Sequence, residues 1–421
     1  MPDRTRTAPN SPHHHGATLK GRGQSSRPAA RLNEVPRLLG SPPMRGGKSV
    51  FIAAGEPSGD LHASRLLREL SRMRPDIEAA GVGGRQLESA GMELIEDLAA
   101  DAVMGFFPVV RALPRLRRVF HRCLERMDAR RPELLLLVDY PGFNLRLAAE
   151  ARRRGIPVIW YIPPKVWAWK RGRLAEIKRC VQKVLVILPF EEGVFRDADI
   201  AVQYVGSPVV DHWVEHVPAA DQIEKLRGGS EHVLGVFPGS RAHVQKSLLS
   251  TFVDAAALCR DAGTPWRVVV SGGADMRAML QPLAARAGLE ALVHTGSALD
   301  IMHAMDAGLA ASGTVTLELA LAGKPFAIAY RVSAPVWLAG KCLIDLPHFA
   351  PVNLVAEREV AREFIGVRSP AGALAAELLR LQGASSAEEM RRGLMEVQQR
   401  LGPSGASLRA AECVRDFIEG A

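Results

Sequence analysis

Short apolar runs, each stopped by Gly, Pro or a small polar cluster, alternate from residue 49 to residue 330 with longer stretches whose apolar residues recur every three or four positions. Unbroken runs of this kind read as strands buried on both faces, and the longer spacing reads as amphipathic helix. The first half carries runs at Ser49–Ala54, Ile77–Val82, Leu134–Val138, Pro157–Ile162, Lys183–Leu188 and Gln203–Val205. The second half carries them at Val233–Phe237, Trp266–Val270, Ala291–His294, Ala307–Ala311 and Phe326–Tyr330. Helices are expected at Leu61–Met73, Asn144–Arg154, His243–Cys259, Leu299–Met305 and from Thr314 to Ala322, the last closed by Gly323. Strands alternating with helices predict an α/β chain with two parallel sheets, each covered on both faces, in tandem domains with a cleft between them. Apolar periodicity lapses over residues 209–230, which places a boundary there. The expected division is a tail at 1–48, domains at 49–210 and 211–384, and C-terminal helices at 385–421 split by Gly402 and Pro403.

Chemistry-bearing residues gather at the ends of these strands. Asp139 follows the Leu134–Val138 run, where open α/β sheets place their ligands, and the next run leads into a proline-rich loop with Trp167 and Trp169. Gly55-Glu56-Pro57-Ser58-Gly59-Asp60 joins the first strand to its helix, a turn that suits either a polar ligand or tight structure. In the second half, Pro238-Gly239-Ser240-Arg241 offers backbone N–H groups and a planar guanidinium suited to phosphate oxygens. Ser312-Gly313-Thr314 opens a helix whose unpaired N–H groups and dipole favour an anion. Glu318, one turn further on, has two oxygens for the two hydroxyls of a ribose. Together these features point to a nucleotide diphosphate.

From Val103 to Arg131 the character changes. Phe106, Phe107, Val110 and Leu113 form a bulky apolar cluster broken by Pro108 and Pro114. A helix is expected after it, with Leu116, Val119, Phe120, Cys123, Leu124 and Met127 on one face and Arg115, Arg117, Arg118, Arg122, Arg126 and Arg130 on the other. Such a segment suits either an anionic bilayer surface or an ordinary packed helix with a solvated arginine face.

The net charge of +9 does not make a nucleic-acid binder, because nine Lys/Arg against two acids in residues 1–48 account for +7 and leave +2 for the rest. That tail, rich in Pro, Ser, Gly and Arg, is expected to be disordered. Neither an apolar stretch long enough to span a bilayer nor a signal-peptide core is present in the sequence, so the expected compartment is the cytoplasm. The five cysteines are odd in number and widely spaced, which suits buried thiols rather than disulfides or zinc.

GEPSGD at Gly55, VMGF at Val103, D-x-P-x-F-N at Asp139, P-x-V-W-A-W at Pro164, LPFE at Leu188, VGSP at Val205, PGSR at Pro238, ASGT-x-T-L-E at Ala311 and NLVAEREV at Asn353 follow one another in the order seen in lipid-A-disaccharide synthases. From Val50 to its C-terminus the chain resembles that family. The resemblance implies two Rossmann-like domains facing across a cleft (GT-B), in an inverting glycosyltransferase of family 19 that needs neither metal nor cofactor. It implies UDP-2,3-diacylglucosamine as donor, 2,3-diacylglucosamine 1-phosphate as acceptor, and the β-1',6-linked disaccharide 1-phosphate and UDP as products. The enzyme would lie peripherally on the cytoplasmic face of the inner membrane and could pair through its C-terminal regions. Matched by position, Asp139 and Arg241 would be catalytic, with Asp139 as base. Glu56, Ser58, Asp60, Gly239, Ser240, Ser312, Gly313, Thr314, Glu318 and Asn353 would bind substrate, and Phe106, Phe107, Val110, Leu113 and Leu116 would face acyl chains or membrane.

The sequence departs from the family pattern at Gly142, in place of a second acid, and at Lys165, Ser207 and Glu357. These positions bear on acyl or donor preference more than on the reaction. His62, just after the first glycine turn, is the rival base. Another UDP-sugar enzyme of the same fold, or a membrane-associated module that binds without turnover, are the other readings.

Overall fold

The computed structural model describes residues 48–99, 106–167, 172–239, 242–332, 334, 347–367 and 370–420, with backbone alone at 106–112 and 242–243. The expected tail, Ser240, Arg241, Trp169 and the side chains of Phe106, Phe107 and Val110 therefore lie outside the described residues.

Seven strands build the first sheet: β1 (Ser49–Ala54), β2 (Glu78–Gly83), β3 (Glu93–Asp97), β4 (Leu134–Val138), β5 (Val158–Tyr161), β6 (Lys183–Val186) and β7 (Val202–Tyr204). Their order is β3-β2-β1-β4-β5-β6-β7, and every pair is parallel. The second sheet contains β8 (Val233–Phe237), β9 (Arg267–Ser271), β10 (Ala291–His294), β11 (Ala307–Ala311), β12 (Phe326–Arg331) and β13 (Glu363–Gly366). It runs β10-β9-β8-β11-β12-β13, again all parallel. Because β1, β4, β8 and β11 are central, they are apolar at every position but Ser49 and buried throughout. Each sheet starts in the middle, winds outward and then restarts on the other side. This opens a switch point between β1 and β4 in the first and between β8 and β11 in the second.

Several helices start earlier than apolar spacing suggests. Those at Pro57–Met73, Pro141–Arg153, Pro208–Glu215 and Pro351–Ala356 all begin on a proline, whose fixed φ suits the first helical turn and whose missing N–H would have had no partner there. GEPSGD is thus strand end, cap and first turn together. The helix expected after Pro114 runs from Phe106 to Arg130 with Pro114 inside it. Its Val119, Cys123 and Met127 are buried, and Leu116, Phe120 and Leu124 pack against the first sheet's core.

The chain returns to its beginning at the end. The Ala384–Leu401 helix packs on the second half, where Met390, Leu394 and Val397 join the core beneath the Val315–Ala322 helix. The Ala406–Gly420 helix crosses back, and Ala410, Ala411, Val414 and Ile418 complete the core between the Pro57–Met73 helix and the first sheet. Asp211 fastens the crossing by accepting the N–H groups of Gly405 (2.6 Å), Ala406 (3.2 Å) and Ser407 (3.3 Å). Here the carboxylate meets the unpaired donors and positive pole of a helix start.

Candidate active site

At the first switch point Ala54 pairs with Val138, so Gly55 and Asp139 leave the sheet side by side. A Cβ on Gly55 would stand 2.2 Å from the Tyr140 ring, so glycine alone allows that ring to lie over the end of β1. Asp139 and Tyr140 both take left-handed backbone (φ 49), as does the β-branched Ile162 (φ 55) just past β5. Such residues cost about 1–3 kcal/mol each and cluster where a site must be held in one shape. The brace is Asn144, only 1% exposed, whose Nδ2 donates to the carbonyls of Ala53 (3.2 Å), Val138 (3.3 Å) and Asp139 (2.7 Å). Burial pushes the Asp139 carboxyl above the usual carboxylate range, against the opposing effects of the Tyr140 backbone and the Lys165 ammonium. That makes it a better proton acceptor than a solvated aspartate.

The rival base is weaker. Burial, reinforced by the Arg65 cation, lowers the His62 pKa to about 4, and His62 Nδ1 has no hydrogen-bond partner. Burial therefore strengthens one candidate and weakens the other.

Other predicted residues of this turn divide by environment. Glu56, half-buried, occupies the N-cap position of the Pro57–Met73 helix without a side-chain capping bond, and Ser58 is exposed in its first turn. Asp60 turns inward, where Oδ1 accepts from the N–H groups of Gly84 (2.8 Å) and Leu87 (3.1 Å) and Oδ2 from Gln86 (3.0 Å). Both oxygens thus anchor the short helix after β2.

At the second switch point Phe237 pairs with Ala310, bringing Gly239 beside Ser312. Gly239 has φ 91, a conformation that favours glycine, and Gln245 Nε2 braces the turn by donating to its carbonyl (2.8 Å). A cavity of about 650 Å³ opens here, lined by Gly239, Ser312, Gly313, Thr314 and Glu318 from the second half and by Lys165 from the first. The volume suits a nucleotide-sized ligand. Glu318 also meets His212 of the Pro208–Glu215 helix (Nδ1 to Oε1, 3.4 Å), an approach that raises the His212 pKa through the hydrogen bond to the carboxylate.

Asn353 is away from that cavity wall and fully buried. Its Nδ2 donates to Ala361 O (2.7 Å) and Glu363 Oε1 (2.8 Å), and its Oδ1 accepts from the N–H groups of Val360 (2.8 Å) and Ala361 (3.0 Å). Trp167 is likewise built in: its indole N–H donates to the buried Glu191 (2.9 Å) and its ring meets Phe190 edge-on.

The arginine face of the Phe106–Arg130 helix is largely neutralised. Arg115 and Arg122 pair with Glu96, Arg126 with Glu93 and Arg130 with Glu78. Arg117 and Arg118 are exposed, with no ion-pair partner among the described residues, and Leu113 is 38% exposed beside them. No helix among the described residues is long and apolar enough to cross a membrane.

Sequence reasoning did not single out Lys165, His212, Asn144 or Gln245 for these roles. His212 and Lys165 sit in segments without a clear period, and Asn144 and Gln245 act on carbonyls, which leave no trace in residue spacing.

Known proteins resemble this chain over most of its length. Residues 50–415 match the family model described as lipid-A-disaccharide synthetase. The chain is 37% identical to a lipid-A-disaccharide synthase of Myxococcus xanthus over 88% of its own length and 97% of that protein's. It is 38% identical to one from Anaeromyxobacter dehalogenans, over 86% and 96%. Among solved structures, the Acinetobacter baumannii MurG crystal structure shares the fold with a TM-score of 0.56 at 15% identity, covering 89% of this chain and all of that one.

Proposed function

The chain belongs to the lipid-A-disaccharide synthetase family, and on that premise we propose that it transfers the sugar of UDP-2,3-diacylglucosamine to the 6-hydroxyl of 2,3-diacylglucosamine 1-phosphate. It is a glycosyltransferase with two parallel-sheet α/β domains of the GT-B type. The acceptor sits against the first half and the donor in the cavity of the second. Asp139 takes the 6-hydroxyl proton as that oxygen bonds to the donor's anomeric carbon, the bond from that carbon to the β-phosphate oxygen breaks, and UDP leaves with inversion. The observation that carries this reading is the half-buried Asp139, its pKa raised, at one switch point, with a nucleotide-sized cavity at the other.

Gly239 and the start of the Val315–Ala322 helix receive the diphosphate, with Ser240 and Arg241, next in sequence, as its further donors, so that these groups meet the charge growing on the leaving group. Holding both substrates across the cleft supplies proximity, and a positioned base adds about 10²- to 10⁴-fold. Glu318 holds the ribose hydroxyls once His212 yields it.

Peripheral attachment to the cytoplasmic face of the inner membrane would use the start of the Phe106–Arg130 helix, with Leu113, Arg117 and Arg118 on its flank. Pairing of two copies would use surface left over after the C-terminal helices have spent their buried faces within the chain.

The test is to incubate purified protein with both acylated substrates and follow products by mass spectrometry. Disaccharide 1-phosphate and UDP in equal amounts are expected. UDP binding without product would leave a binding module, and turnover of UDP-sugars without the acylated acceptor would leave another UDP-sugar enzyme.

A further inference from the structure

We propose that Lys165, reaching from the proline-rich loop of the first half, is the cation that clamps the donor's diphosphate from the wall opposite the Ser312–Thr314 helix start. This rests on the donor site described above and adds to it a contact from the other half of the molecule.

Lys165 is the one cation among the described residues lining the 650 Å³ cavity, and Glu318 is the one acid. It is exposed, and it makes no hydrogen bond or ion pair with any described residue. Most described cations near the cleft are already engaged: Arg65 with Glu215, Arg409 with the carbonyls of Val205, Pro403 and Ser404. An ammonium left free on the rim of a cavity whose far wall offers helix N–H groups has an anion as its natural complement.

The loop that carries Lys165 is held firmly on both sides. Pro163, Pro164, Val166 and Trp167 are buried around it, and Val166 N donates to Pro164 O (2.7 Å). Trp167 is fixed in turn by Glu191, whose carboxylate also receives the Leu188 N–H (3.2 Å). The side chain is thus a flexible stem on a rigid base, able to follow a phosphate without moving its backbone.

Lys165 also stands near enough to Asp139 for its charge to act on that carboxylate. One residue therefore touches the field of the base and the wall of the leaving-group site. As the C–O bond breaks, charge grows on the β-phosphate and disappears from Asp139, and a cation whose field reaches both favours that transfer.

Isothermal titration of UDP and of uridine into the full chain, wild type against Lys165→Gln and Lys165→Arg, tests the proposal, with steady-state kinetics on both substrates. Because Lys165 is exposed, circular dichroism and melting should match wild type. Lys165→Gln is expected to weaken UDP about 10- to 100-fold, as befits one charged hydrogen bond. It should leave uridine unchanged, lower kcat/KM for the donor by a similar factor and leave the acceptor KM alone, while Lys165→Arg restores most of the loss. UDP affinity within twofold of wild type in Lys165→Gln would overturn the proposal. So would a loss confined to the acceptor KM, which would assign the cation to the acceptor phosphate instead. A wild-type protein that binds UDP but forms no disaccharide would sink the proposed reaction while the titrations still judged Lys165.

Discussion

Replacing Asn353 by alanine should damage the fold before it damages the chemistry. The side chain makes four hydrogen bonds of 2.7 to 3.0 Å, two as donor and two as acceptor, and so spends its full capacity on the segment between the Pro351–Ala356 helix and β13. Truncation leaves the N–H groups of Val360 and Ala361 and the carbonyl of Ala361 without a partner, at residues that are themselves buried. Each such group costs about 1–3 kcal/mol, whereas half-buried Glu363 can turn to water. Because neighbouring losses are not additive, the expected total is roughly 3–5 kcal/mol. That is a large share of a typical stability of about 5–15 kcal/mol. Urea unfolding followed by tryptophan fluorescence should show the midpoint falling with an unchanged slope. Asn353→Asp should be as damaging at neutral pH, since it points a carboxylate at Glu363 and at a carbonyl. UDP affinity measured well below the transition should stay near wild type. An Asn353→Ala protein with wild-type stability and lost UDP binding or turnover would refute the reasoning and move Asn353 into the ligand site.

Asp139→Asn should lower turnover by about 10²- to 10⁴-fold without lowering the melting temperature. Its folded pKa is raised by burial, so the charged carboxylate opposes folding above that pKa; the variant's advantage should be present at neutral pH and fade below the unfolded value of about 3.9. Near-normal turnover here, with loss in His62→Ala, would transfer the base role to His62. The His212–Glu318 pair raises a histidine pKa, so its stabilisation is fully present below about 6.5 and disappears as pH rises through the folded value. Melting curves of His212→Ala against wild type should differ more at pH 5.5 than at pH 8.5, and equal differences would contradict the pairing. A Cβ at Gly142 would meet nothing within 4 Å, so Gly142→Asp should fit. In the first turn of the Pro141–Arg153 helix it should add about 0.5–1 kcal/mol, and a drop in melting temperature would show that the space is needed. Glu191→Leu should strand the Trp167 indole N–H and Leu188 N–H, costing roughly 2–4 kcal/mol, whereas Glu191→Gln keeps an acceptor and should cost far less; equal losses in the two would refute this.

Central strands were legible because burial on both faces leaves no room for polar residues, as in Leu134–Val138. Of the four edge strands, Ala291–His294 and Val202–Tyr204 were read within a residue, and the other two were not. Glu93–Asp97 and Glu363–Gly366 are half-buried and carry the charges an edge can tolerate, which erases the apolar run. The two helices inside residues 209–230, Pro208–Glu215 and Ala220–Arg227, were read as a loss of period because each is short and buries only one side. At the site, Asp139, Gly239 and Ser312–Thr314 were readable because strand ends are where chemistry collects. The engagements of Asp60 and Asn353 were not, since their partners are mostly main-chain groups, and these are the same in every residue. Lys165 stayed a departure from a pattern until the cavity gave it a neighbourhood.

The helix Ala406–Gly420 has a consequence for the order in which the molecule can be made. Synthesis delivers all of β1 to β7 roughly two hundred residues before Ala410, Val414 and Ile418, which close the core beside the Pro57–Met73 helix. Throughout that interval on the ribosome, an apolar strip of the first sheet remains without its cover. A message that stops just short of the last helix would therefore yield a protein whose defect lies at its opposite end, in the half that carries Asp139.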